Sequence, residues 1–453
     1  MEEVCVMEQS VVPRQLGRRA VVIGGSVAGM LAARVLSETF GEVIVLEADQ
    51  RPEGKLPRKR VPQGHHSHLL LMSGQQVLDR LFPGFTGELV ADGSVETDFT
   101  EDMEWFHFGE WKRRFRGGLK NLQQTRPFLE WHLRRRLGEY GNVAVRYGTI
   151  VEGLVLSPGG HHVSAVKLRE SRGGTEELSA DFFVDAGGAG SQTLQWLTGR
   201  EPAPHTTESV RIGLSYATRY YEGRPEDKGR SWKNLLVSAQ LPELPSFGAI
   251  LSFEGGKVGV TLGTYLGEPA ATEEAFLKLA QSLPQPHIYD YIREAEPLGE
   301  IRTYRFPAQQ RRRPDRIAGL PGRLVMLGDA YCRFDPIYGQ GMSVAAMEAE
   351  LLQRELAALA NGSGLDTLHR IYYRGLVKLT DYPWEAALTE AFRHPAIPGD
   401  RPPGLRLKQW LTTRIYRTSA RDELVYTRLV QAMNLTHAQS VFFHPSVLLR
   451  LLR

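Results

Sequence analysis

The apolar positions of this chain fall into short runs separated by glycine- and proline-rich stretches, and the period of each run predicts an element. Residues 19–23 are a β-branched apolar run that predicts a buried strand, and 30–36 repeat with helical period. Between them lies the tight turn Gly24, Gly25, Ser26, Val27, Ala28, Gly29. A second strand at 42–46 ends in Glu47. Residues 125–134 predict a helix: Pro127 is tolerated in its first turn, and Leu129, Leu133 and Leu137 recur on one face with arginines on the other. Stretches 143–155 and 162–168 predict short strands of a meander, and 181–185 a buried strand running into Ala186, Gly187 and Gly188. From 201 to 300 the pattern alternates, with strands expected at 211–220, 247–253 and 258–264 and one helix near 272–282. Another buried strand at 323–327 runs into Gly328 and Asp329, and Gly339, Gln340 and Gly341 open a long helix over 342–359. Beyond 365 the chain is mostly helical, with breaks expected at Pro383 and across 395–403. Leu424, Val425, Leu429, Ala432 and Met433 have helical spacing that suits a pocket cover, a core or a subunit contact equally. There is no internal repeat.

This pattern describes an α/β protein in which a parallel-sheet unit is interrupted by a separate sheet. Its 453 residues, 42% of them hydrophobic, suffice for two or three domains with substantial cores. Two cysteines, Cys5 and Cys332, make no disulfide framework, and no apolar run is long enough to span a membrane. Residues 1–15 lack the apolar core of a signal peptide, so a cytoplasmic protein is expected. The net charge is only +3, and the basic clusters at 58–60, 112–114, 134–136 and 311–313 are scattered. Nucleic acid is therefore not an expected partner, and the last three clusters are expected to be solvated faces.

The strand, turn and helix at 19–36, followed by a strand ending in Glu47, form a dinucleotide-binding βαβ fingerprint. Glu47 lies 23 residues after Gly24 and 18 after Gly29. Gly24 serves the tight turn, Gly29 the close helix–strand contact, and the helix N-terminus offers N–H groups to a pyrophosphate. Glu47 is placed to take a ribose hydroxyl. The middle fingerprint position is Ser26 instead of glycine, so the phosphates must approach a small side chain. The fingerprint alone leaves FAD and NAD equally open.

Gly328-Asp329 and the stretch Asp335-Pro336-Ile337-Tyr338-Gly339-Gln340-Gly341-Met342-Ser343 resemble the FAD-dependent monooxygenase superfamily with the p-hydroxybenzoate-hydroxylase fold, over most of the chain. The resemblance implies FAD. It implies that Asp329 binds the ribityl chain, and that Pro336, Gly339, Gly341 and Met342 lie against the flavin ring. The implied architecture is a Rossmann-like FAD-binding domain at 17–85, 120–200 and 301–362, an inserted mixed β-sheet substrate domain at 86–119 and 201–300, and a C-terminal helical region at 363–453. Arg58 to Gly64 with His65 and His68, the turn at 185–191 and the stretch 330–341 are also similar to a bacterial branch of specialised-metabolism enzymes that includes polyene epoxidases. That likeness implies that Arg58, Gln63 and His68 line the flavin side of the cleft, and that Arg126 reaches the FAD phosphates or ribityl.

The chain departs from the superfamily at the turn after the 181–185 strand. Many aromatic hydroxylases carry an Asp-Gly pair there and an arginine a few residues on; Gly187-Gly188 and Leu194 stand here instead. Asp185 is either a shifted substitute or a strand-end cap. The chain also lacks a flavin-halogenase Trp-x-Trp-x-Ile-Pro, a redox Cys-x4-Cys and a Baeyer–Villiger signature. His65, His66 and His68 have no carboxylate or cysteine at ligand spacing, so no metal is expected, and Cys332 reads as a packing residue. The resemblance thus implies a monooxygenase or epoxidase that uses NAD(P)H and O2, by way of a flavin C4a-hydroperoxide, on an apolar small molecule of polyketide type, as in antibiotic biosynthesis. No catalytic acid or base is identified. The alternative within the same fold is a redox-neutral cyclase of [4+2] type with FAD as scaffold.

Overall fold

A computed structural model describes residues 15–171, 173–199, 201, 203–359 and 364–452; the expectations for Cys5 and the first fourteen residues lie outside them. The chain runs β1 (Gly17–Ile23), α1 (Val27–Leu36), β2 (Phe40–Glu47), α2 (Met72–Leu81), α3 (Phe85–Ala91), β3 (Val95–Asp98), β4 (Met103–His107), β5 (Glu110–Trp111), β6 (Lys120–Gln123) and α4 (Arg126–Leu137). It continues with β7 (Val143–Tyr147), β8 (Thr149–Leu156), β9 (Val163–Glu170), β10 (Thr175–Ser179), β11 (Phe182–Asp185), α5 (Thr193–Thr198), β12 (Thr207–Glu222), β13 (Asn234–Val237), β14 (Ser246–Ser252) and β15 (Lys257–Tyr265). The remaining elements are α6 (Glu273–Gln281), α7 (His287–Glu294), β16 (Arg302–Arg312), β17 (Leu324–Met326), β18 (Cys332–Arg333), α8 (Gly341–Ala357), α9 (Leu365–Ala391), α10 (Leu405–Thr418), α11 (Glu423–Met433) and α12 (Pro445–Leu452).

Two sheets organise the molecule. The first is five-stranded in the order β17-β11-β1-β2-β7, with every neighbouring pair parallel. Ala20, Val21 and Val22 of its central strand are fully buried, as expected of a parallel strand covered on both faces. The second is eight-stranded in the order β18-β16-β12-β15-β14-β13-β4-β5. Helices α6 and α7 cover one of its faces, where Ala217 and Tyr221 of β12 meet Phe276 and Ile288. Alternation along β12 sends Tyr216, Thr218 and Tyr220 to the opposite face. Strand β18 leaves the Gly328–Ala330 turn and pairs with β16, so the end of the parallel sheet is tied to the edge of the mixed one. The C-terminal helices close a further core: Ile415, Val425, Tyr426 and Leu429 pack with Phe99, Met103 and Trp105. Asn434 accepts from the backbone N–H groups of both Met72 and Ser73, which anchors that core to α2.

The structure departs from the local sequence pattern in several places. The expected meander divides at Gly148 (φ +66°): β7 joins the parallel sheet beside β2, while β8, β9 and β10 form a separate antiparallel sheet. Alternation marks a strand but not its partner. Strand β16 begins just past the expected boundary at 300 yet pairs along β12, so it belongs to the mixed sheet. Helix α9 runs straight through Pro383. Proline removes one helical N–H, but Thr380, Pro383, Trp384 and Ala387 are buried and tertiary packing holds the turns on both sides.

The three later basic clusters are solvated only in part: Arg113 and Arg135 are exposed. Lys112 and Arg311 are buried, Arg311 between Glu208 and Asp381, and Arg134 reaches Glu130. Lys112 and Arg311 found partners far away in the chain, whereas Arg134 found its carboxylate one turn back on its own helix.

Candidate cofactor and substrate site

The turn between β1 and α1 has the geometry its glycines allow. Gly24 sits at φ +97°, and a Cβ at Gly29 would fall 1.8 Å from the Gly24 carbonyl oxygen, so no other residue fits there. Glu47 ends β2 beneath this turn and accepts from the N–H of Gly25 at 2.8 Å and of Asp49 at 2.8 Å. A cavity of about 710 Å³ opens beside Gly25, bounded by Met30, Val45, Trp131, Arg134 and Tyr147. It reaches from Gly25, just past the carboxyl end of β1, along the face of β2 and β7 at Val45, Val143 and Val145, under α4.

Glu130 on α4 joins the expected residues at this end. Arg58 donates Nη1–H to Glu47 at 2.8 Å and Nε–H to Glu130 at 2.9 Å. Arg126 donates Nε–H to Glu130 at 3.0 Å and Nη2–H to the Ser26 hydroxyl at 2.9 Å, while the Ser26 hydroxyl donates to Glu130 at 2.8 Å. Burial pushes the Glu130 carboxyl up, but the guanidinia of Arg126 and Arg58 and the hydrogen bonds from Arg58 and Ser26 reverse this and hold it at about 2. Glu130 stays ionised and cancels part of the local positive charge. Arg58 therefore sits between two carboxylates, Glu47 and Glu130, beside the β1–α1 turn.

The second focus is the turn after β17. The Asp329 carboxylate has no hydrogen-bond partner among the described residues. Burial raises its affinity for a proton, opposed by Arg333, Arg126 and Arg312. Gly328 sits at φ +65° against Ala28 of α1, which joins this turn to the fingerprint helix. Its N–H donates at 2.6 Å to Glu348, fully buried on α8. Burial pushes Glu348 up to about 8, so its carboxyl is largely protonated near neutral pH. Arg312 spans the carbonyls of Ala189 and Ala330, at 3.0 and 2.8 Å, and ties the two glycine-bearing turns together. Asp185 accepts from Gly187 N–H at 2.8 Å and from the Ser191 hydroxyl; both oxygens serve the turn, and Asp185 is its cap.

The stretch 335–342 forms the rim between the sheets. Asp335 caps a short turn at Pro336–Tyr338 by accepting from Ile337 N–H at 3.1 Å, and it also accepts from the Tyr265 hydroxyl at 2.7 Å. Burial lifts it to about 6 against these two hydrogen bonds. Gly339 takes φ +63° beside Leu69, and α8 then starts at Gly341, where an added Cβ would meet open space. The N–H groups of Gly341 and Met342 have no acceptor among the described residues. The helix thus presents its positive end to a gap.

The other face of the eight-stranded sheet carries polar and aromatic groups toward this region, where they are largely buried. His66 is hydrogen-bonded at 2.9 Å to Thr218, which bonds Thr261 at 2.8 Å, and its ring meets those of Tyr216 and Tyr304 edge-on. Burial, with His68 and His65 nearby, lowers His66 to about 3. His68 contacts the His66 carbonyl at 2.9 Å and falls to about 4 through burial and the charge of Arg126. Both rings are neutral near pH 7. Among the described residues, no three His, Cys, Asp or Glu side chains form a metal-holding group. Gln63 is half-buried in a short turn and makes no side-chain hydrogen bond among the described residues. Cys332 is packed in the main core.

Gly24, Gly25, Ser26, Ala28, Gly29, Glu47 and Arg126 therefore lie together at the β1–α1 turn; Asp329 is linked to them through Gly328 against Ala28 and through the charge of Arg126, while Pro336, Gly339, Gly341 and Met342 lie on the separate stretch that opens α8. Glu130 went unnoticed in the sequence, although it lies four residues after Arg126 and four before Arg134, a spacing that aligns all three on one helix face. Glu348 and Arg312 act through distant backbone groups and left no local signal.

The fold is shared with solved structures. The flavin-dependent brominase Bmp2, as a triple mutant, superposes with a TM-score of 0.67 at 16% identity, over 94% of this chain and 98% of that one. PqsL, a probable FAD-dependent monooxygenase from Pseudomonas aeruginosa, gives 0.61 at 17% over 83% and 97%. The p-nitrophenol 4-monooxygenase PnpA from Pseudomonas putida DLL-E4 gives 0.62 at 17% over 92% and 98%. The fold is that of the FAD-dependent monooxygenases and halogenases. No protein-family model matches the sequence. Protein Rv3254 of Mycobacterium tuberculosis is 33% identical over 358 residues, 75% of this chain and 73% of that protein, and the chain belongs to its family.

Proposed function

We propose that the protein is a cytoplasmic FAD-dependent monooxygenase, of the epoxidase-like kind, that places one oxygen atom from O2 into an apolar small molecule of polyketide type. The overall change converts alkene, O2, NAD(P)H and a proton into epoxide, water and NAD(P)+. The reading rests on the groups gathered around Arg126: the cavity beside Gly25, the Ser26 hydroxyl that Arg126 holds, and the unpartnered Asp329 carboxylate whose charge Arg126 favours, together with the open N-terminus of α8. A dinucleotide with a ribityl chain and an electron-accepting ring matches those groups. FAD, when bound, supplies the electron transfer and the activation of O2. Glu47 would hold the adenosine ribose, Arg126 and the α1 N-terminus the phosphates, and Asp329 the ribityl hydroxyls. The N–H groups of Gly341 and Met342 would stabilise negative charge on the ring. The sheet face that carries Tyr216, Tyr304, Thr218 and Thr261 would wall the substrate side and exclude water. Halogenation is not proposed, because the Trp-x-Trp-x-Ile-Pro stretch is absent.

Asp329→Ala is expected to purify folded but with at least tenfold less bound yellow chromophore than wild type; full FAD stoichiometry would remove the assignment. Anaerobic mixing with NADPH or NADH, with candidate alkenes present, is expected to bleach the visible flavin band. A second reading is a redox-neutral [4+2] cyclase. It is favoured by Gly187-Gly188 standing where many relatives of this fold carry an Asp-Gly pair, with Asp185 committed to capping the turn. A flavin that neither nicotinamide reduces, with ring closure on a polyene substrate, would decide for the cyclase.

A further inference from the structure

Among the exposed large apolar side chains, several such as Leu56, Leu298 and Ile371 are scattered, but four lie on two helices of the C-terminal region that touch each other. Leu407, Trp410, Leu449 and Leu452 lie on α10 and α12 and are 68%, 51%, 62% and 71% exposed. Helix α10 buries Leu405 and Ile415, while its outer face pairs Leu407 and Trp410 with the exposed Arg406 and Arg417. Neither arginine has a hydrogen bond or ion pair among the described residues, and α10 contains no acidic residue. Helix α12 buries Val447 and Leu451 and turns Leu449 and Leu452 outward. Arg414 donates Nε–H to the Leu451 carbonyl at 2.8 Å, which sets Trp410, one turn away on α10, beside the end of α12. The inner side of α10 carries Tyr416 against His107 and Phe108, with Tyr338 of the rim between the sheets close by.

A strip of leucine and tryptophan rimmed by unpaired arginines, lying along helices at the surface, is the pattern of an interfacial helix. Tryptophan favours the headgroup level of a bilayer, and arginines complement anionic lipid. The absence of acids from α10 disfavours a basic protein partner. We propose that α10 and α12 form a peripheral docking surface for an anionic phospholipid bilayer. The docked protein holds this rim beside a phase in which apolar molecules concentrate. This inference is independent of the chemistry assigned above.

Sedimentation of the full-length, flavin-loaded protein with sucrose-filled vesicles tests it, using phosphatidylcholine alone and an equimolar mixture with phosphatidylglycerol. The expected result is binding to the mixed vesicles, with a blue shift of tryptophan emission that Trp410→Ser abolishes. Arg406→Gln and Arg417→Gln are each expected to weaken binding by about fivefold. Trp410→Ser and Leu407→Ser should cost about tenfold or more each. These side chains are exposed, and retained flavin colour verifies folding. No binding to the mixed vesicles overturns the proposal. Equal binding to neutral vesicles, insensitive to the arginine variants, overturns its anionic specificity. A dimer that Trp410→Ser converts to monomer, without vesicle binding, assigns the face to self-association instead.

Discussion

Glu130 illustrates how one buried carboxylate organises a site. Its side chain meets Ser26, Arg58, Arg126 and Arg134, so its removal leaves buried guanidinia without a counter-charge. Glu130→Ala is expected to lower the unfolding free energy by about 3–5 kcal/mol, and Glu130→Gln by less, in urea titrations. The pH dependence has a definite sign. A carboxyl held at about 2 when folded, against an ordinary 4.5, contributes stability that is complete above 4.5 and lost as pH falls toward 2. The acid limb of the wild-type stability profile should therefore flatten in Glu130→Gln. At this scale the sequence was informative where a residue type is dictated by its own backbone, as at Gly24 and Gly29. It was silent where a side chain answers to distant groups, as Arg58 does.

Among the elements, the strand–turn–helix at the start of the chain was legible because β1, α1 and β2 are adjacent in sequence and all their constraints are local. Gly29→Ala tests that locality. Its Cβ would collide with backbone, not with a movable side-chain end, so α1 must shift away from β1. FAD affinity measured by fluorescence titration is expected to fall by at least about tenfold, and an unchanged affinity would show the turn to be more pliant than its geometry. Helix α9 is the opposite case. Its proline predicts an interruption, and the burial of Trp384 and Ala387 just beyond it overrides the local preference. The pairing of β16 with β12 and of β7 with β2 likewise depended on partners far along the chain.

For the whole molecule, two buried ionisable groups lie at joints between layers and titrate with opposite consequences. Glu348 joins α8 to the end of β17, and its folded value of about 8 exceeds the ordinary 4.5. Its contribution is complete below 4.5 and is lost as pH rises through 8. Lys112 joins the mixed sheet to α10 through the Tyr416 carbonyl and the Ser419 hydroxyl, and burial lowers it to about 7 from 10.5. Its contribution is complete above 10.5 and is lost as pH falls toward 7. Denaturation measured across pH should show Glu348→Gln losing the decline between 4.5 and 8, and Lys112→Met losing the rise between 7 and 10.5. Variants that leave these slopes unchanged would remove the two groups as titrating joints.

The sequence by itself determined the α/β class, the dinucleotide turn, the Gly328-Asp329 and 335–342 stretches, and the helical C-terminal region. Each of these rests on backbone conformation or periodicity within a few consecutive residues. Only the tertiary structure decided that the Asp329 turn is tied to both sheets, that Glu130 binds Arg58 and Arg126 beside the β1–α1 turn, and that α10–α12 close a core against β4. Those outcomes depend on burial and on charge partners brought together from remote segments. Local patterns specify which residues a strand or helix will hide, but not what they will meet.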